Sequence, residues 1–400
     1  MATTRRALLA GAASGLLAPA VRAQPSPLRI GVLTDMSGPF SANTGAGSVL
    51  AVRMAVEDFG GAVGGRPVEV IAADHQNRPD TGVAIAREWF DRQGVVAIAD
   101  LVNSAVALAV MDVAWQKDRI TLIGGSGSPA INNEGCTPIN VQLAYDSYAT
   151  ANTAARSLIA DGRKRWFFVT ADYAFGTATE RDATAIIQAA GGTVLGSVRH
   201  PPGTTDFSSY LLTAQSSGAE AVAFASAGSD SVNAIKQCSE FGLTGQVALV
   251  SLGLVINDVH AIGLDAAQGI YLSEGFYWDR DPASRAFGTR YSKALSKMPN
   301  MVQAALYSGV THWLQAVAAT DGGTTAVMAA MRAAPVEDGL THGGIVRPDG
   351  LMTHDMLLLQ VKAPGRSKAP WDYMKIVRTV PGAQAFSPLA TSRCPLVVAK

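Results

Sequence analysis

The chain has 400 residues, 48% of them hydrophobic and 16% charged. That is enough apolar material for a large core and more than one domain, and it excludes wholesale disorder. Lysine plus arginine (32) balances aspartate plus glutamate (32), so no basic face advertises nucleic acid or an anionic membrane, and the expected partner is a small molecule.

The first 23 residues read as a cleavable export signal. A basic pair, Arg5-Arg6, precedes an apolar stretch from Ala7 to Val21 that is too short to span a bilayer, and Val21-Arg22-Ala23 follows. Thr4-Arg5-Arg6-Ala7-Leu8-Leu9 resembles the twin-arginine export motif. Cleavage after Ala23 removes three arginines and no acids, leaving 29 basic against 32 acidic residues and a charge of −3. No later apolar run is long enough to cross a membrane, so a soluble periplasmic protein is expected.

From Leu28 onward, short apolar runs rich in branched residues (LRIGVLT, VEVIAA, VVAIA, ITLIG) alternate with helical patterns. One helix places Val49, Val52, Val56 and Phe59 on one face and stops at Gly60-Gly61, and another runs from about Pro79 to Gln93 and stops at Gly94. Repeated βα units predict a parallel sheet covered on both faces. After the loop from Gly124 to Tyr145 the pattern restarts: a helix over about Asp146 to Ile159, WFFVTAD, a helix, TVLGSV, a helix, AVAFASAG, the helix of Cys238, and VALVSL. Two βα halves predict an α/β protein of two lobes, each with its own sheet.

The last third, from about Gly269, is less regular. It holds GIYLSEGFYW, helices near Pro282 to Leu295 and Met301 to Ala319, and a strand-rich tail with MLLLQVK and YMKIVRTV, and this third as a whole is expected to supply crossings between lobes and to complete both. The division expected is a signal at 1–23, a first lobe at 24–145 plus about 275–345, and a second at 146–274 plus about 346–390. No low-complexity block separates them, so the hinge is a set of short strands.

The three cysteines, Cys136, Cys238 and Cys394, form no Cys-x-x-Cys pair, which argues against a thiolate metal site. Cys136 and Cys394 lie in loop-like, proline-flanked contexts (GCTP and RCPL) and are favoured as a disulfide in an exported protein. Cys238, inside NAIKQCSEF, reads as a buried thiol.

The stretch Thr44 to Ala51, TGAGSVLA, raises a dinucleotide-binding loop, with Asp74 near the place of a ribose-binding acid. Its spacing is against that reading. The loop DMSGPFSANTGAG intervenes between strand and glycines, and no third glycine follows. An NAD(P)-dependent oxidoreductase is therefore the weaker alternative. The six histidines are scattered without His-Glu-x-x-His, there is no Gly-x-Ser-x-Gly elbow, and adjacent acids such as Glu57-Asp58 point to different helix faces. The expectation is a binding protein with no enzymatic activity, no cofactor and no metal.

Several segments in order carry a resemblance: IGVLTDMSGPF, MAVEDFGG followed by VEVIAADHQNRPD, VNSAVALAV, TADYAFG, TTDFSSYLLTAQSSGAEAVAF and IKQCSEFGL. Together they resemble the periplasmic solute-binding proteins of ABC importers, type I, the group named after the leucine/isoleucine/valine-binding proteins. The resemblance implies two Rossmann-like lobes joined by three crossing strands. It also implies a cleft that closes on a solute and partnership with an ABC permease, or in a variant role with a membrane receptor for sensing. A monomer is expected.

In such a fold the solute lies outside the carboxyl ends of the strands. In the first lobe this selects Asn103-Ser104, where Ser104 begins a helix whose hydroxyl and free amides suit a carboxylate, and the loop Gly125, Ser126, Gly127, Ser128. By resemblance these loops hold the ligand's carboxylate. In the second lobe the matching loops are ADYAFG, ASAGSD and SLGLV. By resemblance Phe175 stands where family members often have a tyrosine over the ligand, with Gly228 and Asp230 at the lip. Phe40, Tyr145 and Tyr277 are further candidates for pocket walls.

One departure matters. Amino-acid binders of this group carry an acid in the loop after the strand written here VALVSLG, and this chain has Gly253 and Leu254 there. An acid-binding loop without an opposing acid predicts an organic acid, aromatic or aliphatic, although Asp230 leaves an amino acid open.

Overall fold

The computed structural model describes residues 26–320 and 323–398, so the predicted signal and its arginines lie outside it. The first lobe runs β1 (Leu28–Thr34), α1 (Gly45–Asp58), β2 (Ala62–Val63), β3 (Arg66–Asp74), α2 (Pro79–Asp91), β4 (Val95–Asp100), α3 (Ser104–Gln116), β5 (Ile120–Ile123) and β6 (Asn140–Gln142). The second continues through α4 (Ser147–Ala160), β7 (Arg165–Ala171), α5 (Ala174–Ala189), β8 (Thr193–His200), α6 (Ser208–Ser216) and β9 (Ala221–Ala225). It then adds α7 (Ser229–Glu240), β10 (Ala248–Ser251), α8 (Ile256–Ile262), α9 (Leu264–Ala267) and β11 (Tyr271–Glu274). The chain next returns to the first lobe with α10 (Pro282–Leu295), α11 (Met301–Ala318) and α12 (Thr324–Ala333). It ends with the short pair β12 (Ile345–Val346) and β13 (Met352–Thr353), then β14 (Met356–Val361) and β15 (Met374–Val380).

The first sheet has the order β2-β3-β1-β4-β5-β6 and the second β15-β14-β11-β10-β9-β7-β8. Strands are parallel except β2 against β3 and the β11-β14-β15 edge. Each central strand is apolar on both faces because helices cover both. Ile30 and Val32 pack toward α1 and α11, whereas Leu33 packs toward α2 and α3. In the second sheet Phe167 and Val169 meet α6, α7 and α8, while Trp166 and Phe168 meet α4 and α5.

The backbone passes between lobes three times: between β6 and α4, between β11 and α10, and after Leu351, which bridges Gln142 at the edge of the first sheet. The strand order reverses beside β1 and β4 in one lobe and beside β7 and β9 in the other. Crevices therefore open at the carboxyl ends of these strands, and the two face each other. Cys136 and Cys394 are joined, pinning the C-terminal tail beside the loop before β6, and Cys238 is a buried free thiol. Among the described residues no helix is long and apolar enough to cross a membrane.

Candidate functional site

The first wall of the interlobe cleft grows from the end of β1. The Asp35 carboxylate accepts the N–H groups of Ser37 (3.3 Å), Gly38 (2.6 Å) and Phe40 (2.9 Å), and Asn77 Nδ2 at 2.8 Å. Four donors on one buried carboxylate fold residues 37–44 back on themselves and hold the Phe40 ring in the cleft. The glycines of TGAGSVLA serve this turn and the helix behind it. Gly45 adopts φ +51° against the carbonyl of Asp35, and a Cβ on Gly47 would lie 2.2 Å from Tyr291 Oη. Neither lines the cavity, and neither is placed to cradle a phosphate.

The polar wall follows β4. Asp100 and Leu101 are consecutive residues with positive φ (82° and 57°), an unusual pair outside glycine that turns the chain so that α3 starts toward the cleft. The Asn103 side chain accepts from the amides of Ala105 (3.0 Å) and Val106 (3.2 Å). Those two amides, expected to be free for a carboxylate, are thus consumed by the helix cap. Ser104 retains its own N–H, which no hydrogen bond among the described residues takes. Ser126 Oγ donates to Ser104 Oγ at 3.0 Å, so the Ser104 proton is left to point elsewhere. Gly125 and Gly127 complete this wall, and a Cβ at Gly127 would sit 2.3 Å from the Tyr145 ring and 3.0 Å from that of Phe175. Beneath Gly125 burial raises the Asp100 carboxyl to about 6, against the pull of the Thr34 and Ser48 hydroxyls.

The facing wall is aromatic. Tyr145 meets Phe175 edge-on with centroids 6.4 Å apart, and Tyr173 lies 6.1 Å from Phe175. Tyr145 Oη donates to the Gly125 carbonyl at 3.1 Å, and burial pushes both tyrosines upward, so they stay neutral. Between the walls remains a cavity of about 30 Å³, room for a water or two. A ring-sized solute enters only if the lobes part or these side chains move.

Of the residues expected from the sequence, Phe40, Asn103, Ser104, Gly125, Gly127, Tyr145 and Phe175 line one cavity, with Ser126 directly behind. Others do not. Ser128 caps the turn at Pro129–Ile131 through the Ala130 amide, and its carbonyl takes Gln142 Nε2. Gly228, at φ +63°, is where the lobes touch: a Cβ there would lie 2.6 Å from the Pro39 carbonyl. Asp230, itself buried, accepts the Gly203 amide (3.0 and 3.1 Å) and is not among the residues lining the cavity. Tyr277 belongs to the core of the second lobe, where its hydroxyl accepts the Met374 amide.

Three lining residues were not foreseen: Val102, Tyr173 and Ala227. Tyr173 was within reach, since it is the N-cap of α5, two residues before Phe175 in the same ADYAFG segment.

Gly253 and Leu254 stand in the loop where the resemblance led to an acid being expected, and Leu254 is buried in the core of the second lobe while Gly253 faces Phe175. A Cβ there would meet the Ser226 carbonyl at 2.3 Å, and the Phe175 ring and Ala227 Cβ at 3.1 Å, so no side chain fits. Asp258 is committed to Asn43 and the Val255 amide, and Glu274 to the amides of Ile256 and Met301, whereas Asp100, buried beneath Gly125 and not among the lining residues, has no hydrogen-bond partner among the described residues. A larger depression, about 1020 Å³, lies at the opposite end of the second sheet among strand starts and basic side chains such as Arg163, Lys362 and Lys375. It contains none of the crevice loops, and the topology favours the cleft.

Comparison with known proteins places this geometry in context. The family model for periplasmic binding proteins matches residues 27–368. A solved periplasmic binding protein from Burkholderia mallei is 47% identical, with TM-score 0.88 over 93% of this chain and 99% of that one. A branched chain amino acid ABC transporter periplasmic ligand-binding protein from Burkholderia xenovorans LB400 is 38% identical, with TM-score 0.86 over 92% of this chain and 100% of that one. A Leu/Ile/Val-binding protein homologue of Brucella melitensis is 27% identical over 274 residues, 67% of this chain and 69% of its own length.

Proposed function

This chain belongs to the periplasmic binding protein family, and we propose that it is the exported solute-binding component of an ABC importer, capturing a small organic acid and presenting it to a permease. The lobes that close are those built on the two sheets; the chain returns to the first after Tyr277 and leaves it after Leu351, a few residues beyond the boundaries near 275 and 346 expected from the sequence. Closure is driven by solute contacts to both walls, and no bond is made or broken.

The observation that carries the ligand class is the pairing of walls. Ser104, Gly125 and Gly127 offer an N–H, a hydroxyl and close backbone approach to a carboxylate, while Phe40, Tyr173 and Phe175 offer an aromatic face to the body of the solute. Among the described residues no acid lines the cavity, and Gly253 has no room for one. An ammonium held there would be buried without a partner, at a cost of several kcal/mol.

A second reading, an amino-acid importer, draws on the names of the relatives from B. xenovorans and B. melitensis. A thermal-shift screen of the mature protein separates the two, because a ligand of the native state raises the melting temperature by mass action. Shifts with aromatic or aliphatic monoacids support the first reading. Shifts confined to branched-chain amino acids replace it with the second.

A further inference from the structure

Outside the cavity, a buried polar hub ties the two lobes together. Asn43, 8% exposed, ends the Phe40-bearing loop of the first lobe. Its Nδ2 donates to both carboxylate oxygens of Asp258, at 2.9 and 3.1 Å. Asp258 is 3% exposed and stands in the first turn of α8, in the second lobe. The Asn43 carbonyl in turn accepts Asn300 Nδ2 (3.0 Å) and Gln303 Nε2 (2.6 Å) from the start of α11, in the first lobe. Glu274 spans the lobes in the same way, accepting the first amide of α8 from Ile256 (3.0 Å) and the first amide of α11 from Met301 (3.1 Å).

We propose that Asp258 is a positioning residue for solute capture: through Asn43 it holds the loop of Phe40 against the second lobe and so sets how much of the protein is closed. The inference rests on the capture reading above and adds a residue that touches neither the cavity nor the solute. Both side chains are buried, so opening exchanges their hydrogen bonds for hydration, and the contact biases the lobes toward closure.

Asn43 Oδ1 is buried without a hydrogen-bond partner, so the amide can turn over and accept a donor at position 258. Asp258 also accepts the Val255 amide at 3.0 Å, so removing it loosens the start of α8 as well, whereas removing the Asn43 side chain leaves that cap intact.

The test is the distance between spin labels on Asp80→Cys and Thr205→Cys, exposed positions on opposite rims of the cleft, read by double electron–electron resonance with no solute present. Asn43→Ala and Asp258→Ala should each lower the closed-to-open ratio about ten- to a hundredfold. The double variant should go no further than either single one, as expected for a shared contact. Asp258→Asn, able to donate to the turned Asn43 amide and still to accept from Val255, should stay near the parent distribution. Unchanged distances in Asn43→Ala, or effects of the two alanine variants that simply add, would overturn the proposal. Because no solute is added, a chain that ignored organic acids would still give or withhold these shifts, and the two readings fail separately.

Discussion

Ser104→Ala is the sharpest perturbation of the polar wall, and Ser128→Ala is its natural control. Ser104 is 5% exposed, lines the cavity and receives the Ser126 proton at 3.0 Å, so its own proton is the one available to a bound carboxylate. Deleting the hydroxyl removes one charge-assisted hydrogen bond, worth about 1.5–3 kcal/mol, and leaves Ser126 Oγ without its acceptor. The expected loss is therefore about ten- to a hundredfold in affinity for the acid selected by thermal shift, measured by isothermal titration calorimetry. Ser128 sits two residues beyond Ser126 in the same loop, but its hydroxyl only caps a turn. Its removal should cost about 1 kcal/mol of stability and leave affinity within twofold. Equal affinity of Ser104→Ala and the parent protein, or a larger loss from Ser128→Ala, would refute this assignment of the wall.

Other consequences follow from the same structure. The bond between Cys136 and Cys394 closes a chain segment with a sequence separation of 258, and reducing it should lower unfolding free energy by about 5 kcal/mol in urea titrations; an unchanged midpoint would count against the pairing. Burial pushes Asp258 to about 7 and Glu274 to about 8, both above their ordinary values of 3.8 and 4.5. Stability contributed by groups raised in this way is complete below about pH 4 and is lost as pH climbs toward 7 and 8, so the urea midpoint should be higher at pH 5 than at pH 8, and a midpoint that rises with pH contradicts the burial argument. Gly253→Ala forces a methyl within 2.3 Å of the Ser226 carbonyl oxygen and against Phe175; a loss of about 1–3 kcal/mol in stability is expected, with weaker solute binding, and a neutral effect would show that the loop has room after all.

Much of this arrangement is legible in the residues because topology does most of the placing. Once βα units are recognised, the carboxyl ends of β4, β5, β7 and β9 are where a cleft must form, and Ser104, Gly125, Gly127 and Phe175 fall there by position alone. Which atoms remain free at those positions depends on partners elsewhere in the chain. Asn103 and Ser104 are adjacent and both polar, yet one spends its oxygen on Ala105 and Val106 while the other keeps its hydroxyl. Ser126 and Ser128 read identically in GGSGSPA, and only Pro129, which begins a tight turn, commits the second to capping. Asp230 lies in the first turn of α7, where a rotation of one residue decides between the cleft and the Gly203 amide. The clamp of Asp35 on its loop and the hub at Asn43, Asp258 and Glu274 join residues up to 260 positions apart, and no local pattern announces them.

Whether the cleft takes an acid without an amine is decided by matched solutes. Titration calorimetry of the mature protein with 3-phenylpropionate against phenylalanine, and with 4-methylpentanoate against leucine, varies only the ammonium group. With no carboxylate among the described residues lining the cavity and no space for one at Gly253, the deaminated member of a pair should bind at least about tenfold more tightly. Tighter binding of the amino acid in either pair would overturn the organic-acid reading and assign the ammonium a partner in the cleft.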